Sequence, residues 1–224
     1  LDHIGEIIVA TTRPETLLGD TAIAVNPADE RYKKLIGTKA LLPLVGREIP
    51  IIADEYVDAS YGTGAVKITP AHDPNDFEMG QRHGLSVEQV IGFDGRMTNV
   101  PAPFDGLTTT EARQRVLEAL EREELRRGEE ELEHSVGHCY KCDTVIEPMV
   151  KEQWFISMRP LADAAIAAIE RGDVTFTPAN KGEVVIKYLR EIKDWNVSRQ
   201  IPWGIPIPAF QSTTDPSDWI FNTN

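Results

Sequence analysis

Gly62-Thr63-Gly64-Ala65-Val66-Lys67-Ile68-Thr69-Pro70-Ala71-His72-Asp73-Pro74-Asn75-Asp76-Phe77 holds a strand, a polar knot and the approach to a helix. Residues 65–69 read as a strand, apolar or β-branched except for Lys67, entered through two glycines flanking a threonine and stopped by Pro70. On a strand Lys67 and Thr69 fall on one face. Residues 77–83 read as a short helix closed by Gly84. Asp73 is spaced to cap a helix beginning near Asn75, which aims Asp76 into a cleft. The blander reading of the two aspartates is a pair of helix caps.

Working outward, residues 6–10 and 21–25 read as strands around a polar turn at 11–20. That turn contains Thr11-Thr12-Arg13-Pro14-Glu15-Thr16, three hydroxyls and a guanidinium that can face a carbonyl or a sugar, or simply cap a turn. Residues 31–35 suggest a short helix stopped by Gly37. Strands follow at 40–45 and 49–53, joined by Gly46-Arg47-Glu48. Several strands with short helices between them indicate an α+β fold, a barrel-like mixed sheet with peripheral helices. Residues 110–133 carry Ala112, Val116, Leu117, Ala119 and Leu120 as an apolar stripe behind the hydroxyls of Thr108, Thr109 and Thr110. Nine acidic and five basic residues in that segment describe a solvated face. Beyond residue 150 the pattern changes to a helix at 161–169, a short strand at 174–176, a helix at 183–192 and a proline-crowded tail with Pro202, Pro206, Pro208 and Pro216. The chain therefore divides into a core at 1–150 and a helical, proline-rich segment at 151–224.

The 224 residues are 41% hydrophobic and 26% charged, as in an ordinary globular protein. No apolar run approaches the roughly 18 residues of a membrane helix, and no charged-then-apolar leader opens the chain. The opening Leu1, where an initiator methionine would stand, reads as the start of a piece cut from something longer. The net charge of −13 argues against a chain-wide basic surface for nucleic acid. Any RNA contact must use a local patch or other domains. Two cysteines only, Cys139 and Cys142, indicate a reducing, cytoplasmic setting. In His138-Cys139-Tyr140-Lys141-Cys142 they form half a zinc site. His134 and His138 complete it locally only with unusual spacing, and a second pair from another part of a longer protein is more natural. A redox pair is the alternative, without a thioredoxin-like context.

His72, Asp73 and Asp76 also invite a metal reading, but no second histidine has ligand spacing, His83 being eleven residues on. No Gly-Lys-Ser/Thr follows the glycines, so no phosphate loop is present. A Gly-x-Ser-x-Gly elbow is missing as well.

Together these stretches resemble the editing domain of class I aminoacyl-tRNA synthetases of the valyl, isoleucyl and leucyl group. Residues 11–16 look like its threonine-rich motif and residues 62–76 like its aspartate-bearing motif. Trp154-Phe155-Ile156-Ser157-Met158 and residues 194–204 look like the route back into the catalytic domain of such enzymes. Residues 13–22 with 67–73 match the valyl branch best. Ile201-Pro202-Trp203-Gly204 departs from it, since an aromatic residue often precedes the Trp-Gly. His3-Ile4-Gly5-Glu6 resembles an ATP-site signature only superficially, and no Lys-Met-Ser-Lys-Ser stretch occurs. No amino-acid activation is therefore expected of these residues.

The resemblance implies hydrolysis of threonine from tRNA(Val), with Asp76, Asp73 and Thr12 as catalytic residues. Asp76 would anchor the α-ammonium, and Asp73, Thr69 and Lys67 would recognise the threonine side chain, although one sequence leaves open which carboxylate meets which group. Arg13, Thr11, Thr12 and Thr16 would hold the ester and terminal adenosine, Tyr61 would stack on the base, and His72 completes the substrate set. A ribose hydroxyl would help position the water. The resemblance implies no cofactor or metal for editing, structural zinc only in the complete enzyme, and ATP and magnesium only in its catalytic domain. The implied partners are threonyl-tRNA(Val) and the rest of the synthetase, with no membrane and a monomeric state. Three rivals remain at this point: a non-catalytic tRNA-docking insertion, an isoleucyl editing domain, and an unrelated metallohydrolase.

Overall fold

Strand β1 (Ala22–Val25) is buried at every position, because it is covered on both faces. A computed structural model describes residues 5–201, 204–215 and 217–221. Beside β1 lie β2 (Lys39–Leu42), β3 (Arg47–Ala53) and β4 (Ala65–Ile68), in the order β2-β3-β1-β4. β1 pairs parallel with β3 and antiparallel with β4, while β2 and β3 form an antiparallel hairpin. The sheet is mixed, as expected, but it is open: no barrel closes among the described residues.

Side chains alternate across a strand, and the two faces of β1 differ accordingly. Ile23 and Val25 pack with Leu17, Leu42, Ile49, Ile51 and Ala65. The small Ala22 and Ala24 face Val57, Ile68 and Met79, the last carried by helix α1 (Pro74–His83). Gly80 lets this helix settle on Pro70, whose Cγ lies 2.9 Å from where a Cβ would stand. Helix α2 (Thr109–Arg122) buries Ala112, Val116 and Ala119 against Leu18, Val90, Ile91, Met97 and Phe104. A capping box starts it, with Thr108 accepting from the Glu111 amide and Glu111 from the Thr108 amide.

Several local expectations fail. Residues 6–10 form no strand, and residues 31–35 form turns rather than a helix. The hairpin turn sits at 43–46, so Arg47 and Glu48 already belong to β3. α2 stops at Arg122 instead of running to 133. The following residues, including Glu129 to Glu131 and Glu133, are exposed and offer no apolar face to dock. α1 begins three residues earlier than the sequence suggested because Pro74 suits the first helical position.

The chain resolves into two compact units, Leu1–Val150 and Lys151–Asn224. In the second, helices α3 (Arg159–Glu170) and α4 (Lys181–Arg190) accompany two small ladders, β5 (Phe155–Ile156) with β6 (Trp195–Asn196) and β7 (Ala209–Gln211) with β8 (Trp219–Phe221). Trp154 packs edge-on to Trp219 at 4.7 Å and to Phe221 at 5.7 Å. Residues 174–176 join no ladder; Phe176 instead packs under Gly182. His3, Ile4, Pro202, Trp203 and Pro216 lie outside the described residues. No described helix is long and apolar enough to cross a membrane.

Candidate functional site

Pro14 opens a short 3-10 helix, Pro14–Gly19, within the polar stretch expected to turn. The Thr11 hydroxyl accepts from the Arg13 amide at 3.0 Å, and the Thr16 hydroxyl donates to the Arg13 carbonyl at 3.0 Å. These bonds fold the threonine-rich stretch on itself, and the Thr16 hydroxyl meets Lys67 of β4. There Lys67 stands opposite Ile23 of β1.

The ammonium of Lys67 is 2.8 Å from Thr16 Oγ1, 2.6 Å from Thr69 Oγ1 and 3.2 Å from Asp20 Oδ1. All three of its donors are used. The Thr69 hydroxyl donates onward to Asp20 Oδ1 at 2.5 Å. Asp20 is 1% exposed and Lys67 9%, so the ion pair lies inside the protein. Burial pushes the Asp20 carboxyl up to about 6, against the pull of Lys67 and Thr69.

Asp76 sits in the first turn of α1, half-buried, and accepts from the Thr69 amide at 2.9 Å. Burial first, then the negative charge of Asp73, pushes its carboxyl up to about 6, while the Thr69 amide and Lys67 oppose the rise. Asp73 is exposed and caps α1, its Oδ1 accepting from the amides of Asn75 at 2.8 Å and Asp76 at 3.2 Å. Its other oxygen makes no hydrogen bond among the described residues. The cap thus falls where the spacing of Asp73 indicates, and Asp76 stands half-buried in the first turn beside it.

His72 corrects an expectation. It is 1% exposed, and its Nε2 accepts from the amides of Val90 at 2.9 Å and Ile91 at 3.2 Å. That nitrogen is therefore unprotonated, and Nδ1 carries the hydrogen toward the Pro148 carbonyl, 3.1 Å away. Burial also depresses its pKa, so the ring is neutral. With both nitrogens committed to backbone groups, His72 meets neither substrate nor metal. Thr16 and Thr69, 2% and 1% exposed, likewise lie beneath the surface and support the site rather than line it.

The exposed rim consists of Thr11, Thr12 and Asp73, with half-buried Arg13 and Asp76. Arg13 donates to the His72 carbonyl at 3.0 Å, to Glu15 at 3.4 Å and to Glu147. Tyr61 is 65% exposed, beside the turn formed by Gly62 and Gly64. Gly64 must be glycine, since its φ is +77° and an added Cβ would stand 3.0 Å from the Ala59 carbonyl. Sequence reasoning missed Asp20, Glu15, Arg113 and Glu147. Glu15, inside the threonine-rich motif, and Asp20, four residues after Thr16, had a local signal; Arg113 and Glu147 had none.

Away from this site, Cys139 and Cys142 close a tight turn in which the Cys139 amide donates to the Thr144 carbonyl at 2.8 Å. Cys142 Sγ lies 3.3 Å from Thr144 Oγ1, and hydrogen bonding by Thr144 holds its thiol below the usual range. Two thiols fit half of a tetrahedral zinc shell. Among the described residues no group of three metal-binding side chains gathers.

A family model described as tRNA synthetases class I (I, L, M and V) matches residues 13–220. The chain is 52% identical to a valine–tRNA ligase of Petrotoga mobilis, over 91% of this chain and 23% of that protein. It is 53% identical to that of Fervidobacterium nodosum, over 92% and 24%. With Carboxydothermus hydrogenoformans the identity is 54%, over 93% and 24%. The chain thus spans about a quarter of the length of these curated relatives. Among solved structures, a GlLeuRS-CP1 crystal structure aligns at TM-score 0.45 and 17% identity, over 55% of this chain and 83% of that one. A ternary complex of Agrobacterium radiobacter LeuRS with tRNA aligns at TM-score 0.43 and 25% identity, over 55% and 18%.

Proposed function

Because the chain belongs to the class I tRNA synthetases of the isoleucyl, leucyl, methionyl and valyl group, we propose that it carries the post-transfer editing site of a valine–tRNA ligase. The reaction is hydrolysis of threonyl-tRNA(Val). The complete cytoplasmic enzyme would join valine to tRNA(Val) with ATP and magnesium bound outside these residues. Editing is needed because a pocket built for valine rejects its hydroxyl isostere only weakly, whereas a polar site can discriminate sharply.

The observation that carries this reading is a half-buried carboxylate, Asp76, held by the Thr69 amide beside the Lys67–Asp20–Thr69–Thr16 network. Ionised Asp76 would take the α-ammonium of the aminoacyl group in a charge-assisted hydrogen bond. Asp73, one oxygen committed to its cap, would offer the other to the threonine hydroxyl. Thr12 and the amides of its loop would face the ester carbonyl, Arg13 and Thr11 the terminal ribose, and Tyr61 the adenine. Water, oriented with help from a ribose hydroxyl, adds to the ester carbon. The carbon–oxygen bond to the ribose then breaks, releasing threonine and a tRNA with a free hydroxyl. No metal or cofactor enters this scheme, and zinc at Cys139 and Cys142 would be structural.

The test is release of threonine from threonyl-tRNA(Val) by the complete gene product, with and without EDTA, alongside Asp76→Ala. Hydrolysis that survives chelation and disappears in the folded variant supports the proposal. Activity lost with EDTA and restored by zinc would sink the metal-free scheme, and a well-folded Asp76→Ala with full activity would remove Asp76 from it.

A further inference from the structure

We infer that Arg113, on α2, is a positioning residue for this editing reaction, acting through the Thr12–Arg13 peptide and Glu15. The inference rests on the editing reading above. Glu15 lies in the 3-10 helix with its side chain 4% exposed, and a buried carboxylate needs close partners. Arg13 offers one only at 3.4 Å. Arg113 Nε reaches Glu15 Oε2 at 3.0 Å, and its NH2 group reaches Glu15 Oε1 at 3.4 Å. That same NH2 group donates to the Thr12 carbonyl at 2.7 Å. The partners lie 98 and 101 residues apart in the chain, so this is a tertiary clamp.

The Thr12 carbonyl and the Arg13 amide belong to one peptide unit. Arg113 holds its oxygen end, and the Thr11 hydroxyl holds its N–H end at 3.0 Å. A peptide is planar, so fixing both ends fixes its plane and thereby the backbone direction from which the Thr12 side chain leaves. Thr12 is the exposed hydroxyl proposed to face the ester. A guanidinium fork can bind a carboxylate and a carbonyl together, whereas a lysine ammonium on the same stem is a point charge without that planar spread. An ordinary surface ion pair contributes little. What distinguishes this one is the burial of Glu15 and the second bond to the loop backbone.

The experiment compares wild type, Arg113→Ala and Arg113→Lys as complete gene products in deacylation of threonyl-tRNA(Val), with hydrogen exchange followed in peptides covering 11–18 and 47–53. Arg113 is on an exposed part of α2, where alanine favours the helix. Arg113→Lys keeps a positive charge near Glu15 should the alanine variant fold poorly. The expected result is a fall in kcat of about 10- to 100-fold in both, the order that misplacing a reacting group produces, with KM within about threefold. Exchange at 11–18 should quicken about tenfold or more with 47–53 unchanged, a local loosening of the loop. Added guanidinium ion should restore part of kcat in Arg113→Ala alone. Unchanged kcat in the folded variants would overturn the inference. So would a loss matched by equal loosening of 47–53, which means general destabilisation. If wild type itself releases no threonine, the editing reading fails separately. Unchanged exchange at 11–18 would then still overturn the clamp.

Discussion

Lys67 is a cation with its side chain 10% exposed, paired to an aspartate that is 2% exposed. Removing one partner of such a pair leaves the other buried and uncompensated. Lys67→Met should therefore destabilise the protein by about 3–5 kcal/mol, and the loss should depend on pH. Burial pushes the Asp20 carboxyl up to about 6 even with Lys67 present, so without it the carboxyl holds its proton to higher pH. The folded variant then binds more protons than the unfolded chain over a wider range, and its stability falls as pH rises. Denaturant melts should show a larger deficit against wild type at pH 8 than at pH 5; an equal deficit would mean Asp20 does not respond. The sign in wild type is the same. Burial pushes both Asp20 and Asp76 up to about 6, against 3.8 for an ordinary aspartate. Their contribution to stability is thus fully present below about pH 4 and lost as pH rises through about 6. The proposed catalysis runs the opposite way, since Asp76 would have to be ionised to hold an ammonium. The deacylation rate should fall below about pH 6, as the Asp76 carboxyl takes up its proton. A rate flat from pH 5 to 8 would exclude the Asp76 carboxylate from substrate binding.

Asp73 caps helix α1 and is proposed to read the substrate as well, and the two duties can be separated. As N-cap it satisfies two amides, so Asp73→Ala should cost about 1 kcal/mol in stability, whereas Asp73→Asn, an equally good cap, should cost little. If the second oxygen receives the threonine hydroxyl, an unmade bond to a charged group is worth roughly 1–3 kcal/mol, a gap of about 10- to 100-fold between threonyl and valyl esters. Asp73→Asn should narrow that gap with α1 intact. Equal slowing of both esters would assign Asp73 to the ammonium instead. This cap was legible in the sequence because it is local, as were β1, β3, β4, α3 and α4, each marked by a continuous apolar run or a helical stripe. Lys67 and Thr69 sharing a face followed from the two-residue period of a strand. What could not be read is tertiary. Residues 6–10 have strand composition but join no ladder. Residues 31–35 turn instead, where Arg31 binds Asp29 and the Ala59 carbonyl. The ring of His72 is bonded to backbone groups 18, 19 and 76 residues away, which no spacing rule shows. Glu15 and Arg113 meet across 98 residues for the same reason.

Charge is unevenly spread over the molecule. Residues 151–224 carry eight Lys and Arg against nine Asp and Glu, while residues 1–150 carry 15 against 27. The unit holding the candidate site is therefore strongly anionic, and the substrate proposed for it is a polyanion. A protein that grips RNA through phosphates releases counterions, and its affinity falls steeply with salt, with a log–log slope of about −5 for six contacts on duplex DNA and somewhat less on single strands. Here salt screens repulsion from the many carboxylates as well as any local attraction. The recognition proposed for the site, stacking at Tyr61 and hydrogen bonds at Asp73 and Asp76, carries little phosphate contact. For this 224-residue chain acting on threonyl-tRNA(Val), KM should therefore vary weakly between about 0.02 and 0.2 M salt, with a log–log slope of 1/KM no steeper than about −2. At the lowest salt it should even rise, because the Debye length there exceeds 10 Å and the repulsion reaches further. Deacylation at a series of KCl concentrations measures this directly. A slope near −5 would mean that a compact basic patch grips the tRNA backbone despite the net charge of −13. Charge-reversal of individual lysines and arginines would then locate it. A weak slope would instead leave the tRNA body to be held by the rest of the synthetase, with this unit reading only the charged end.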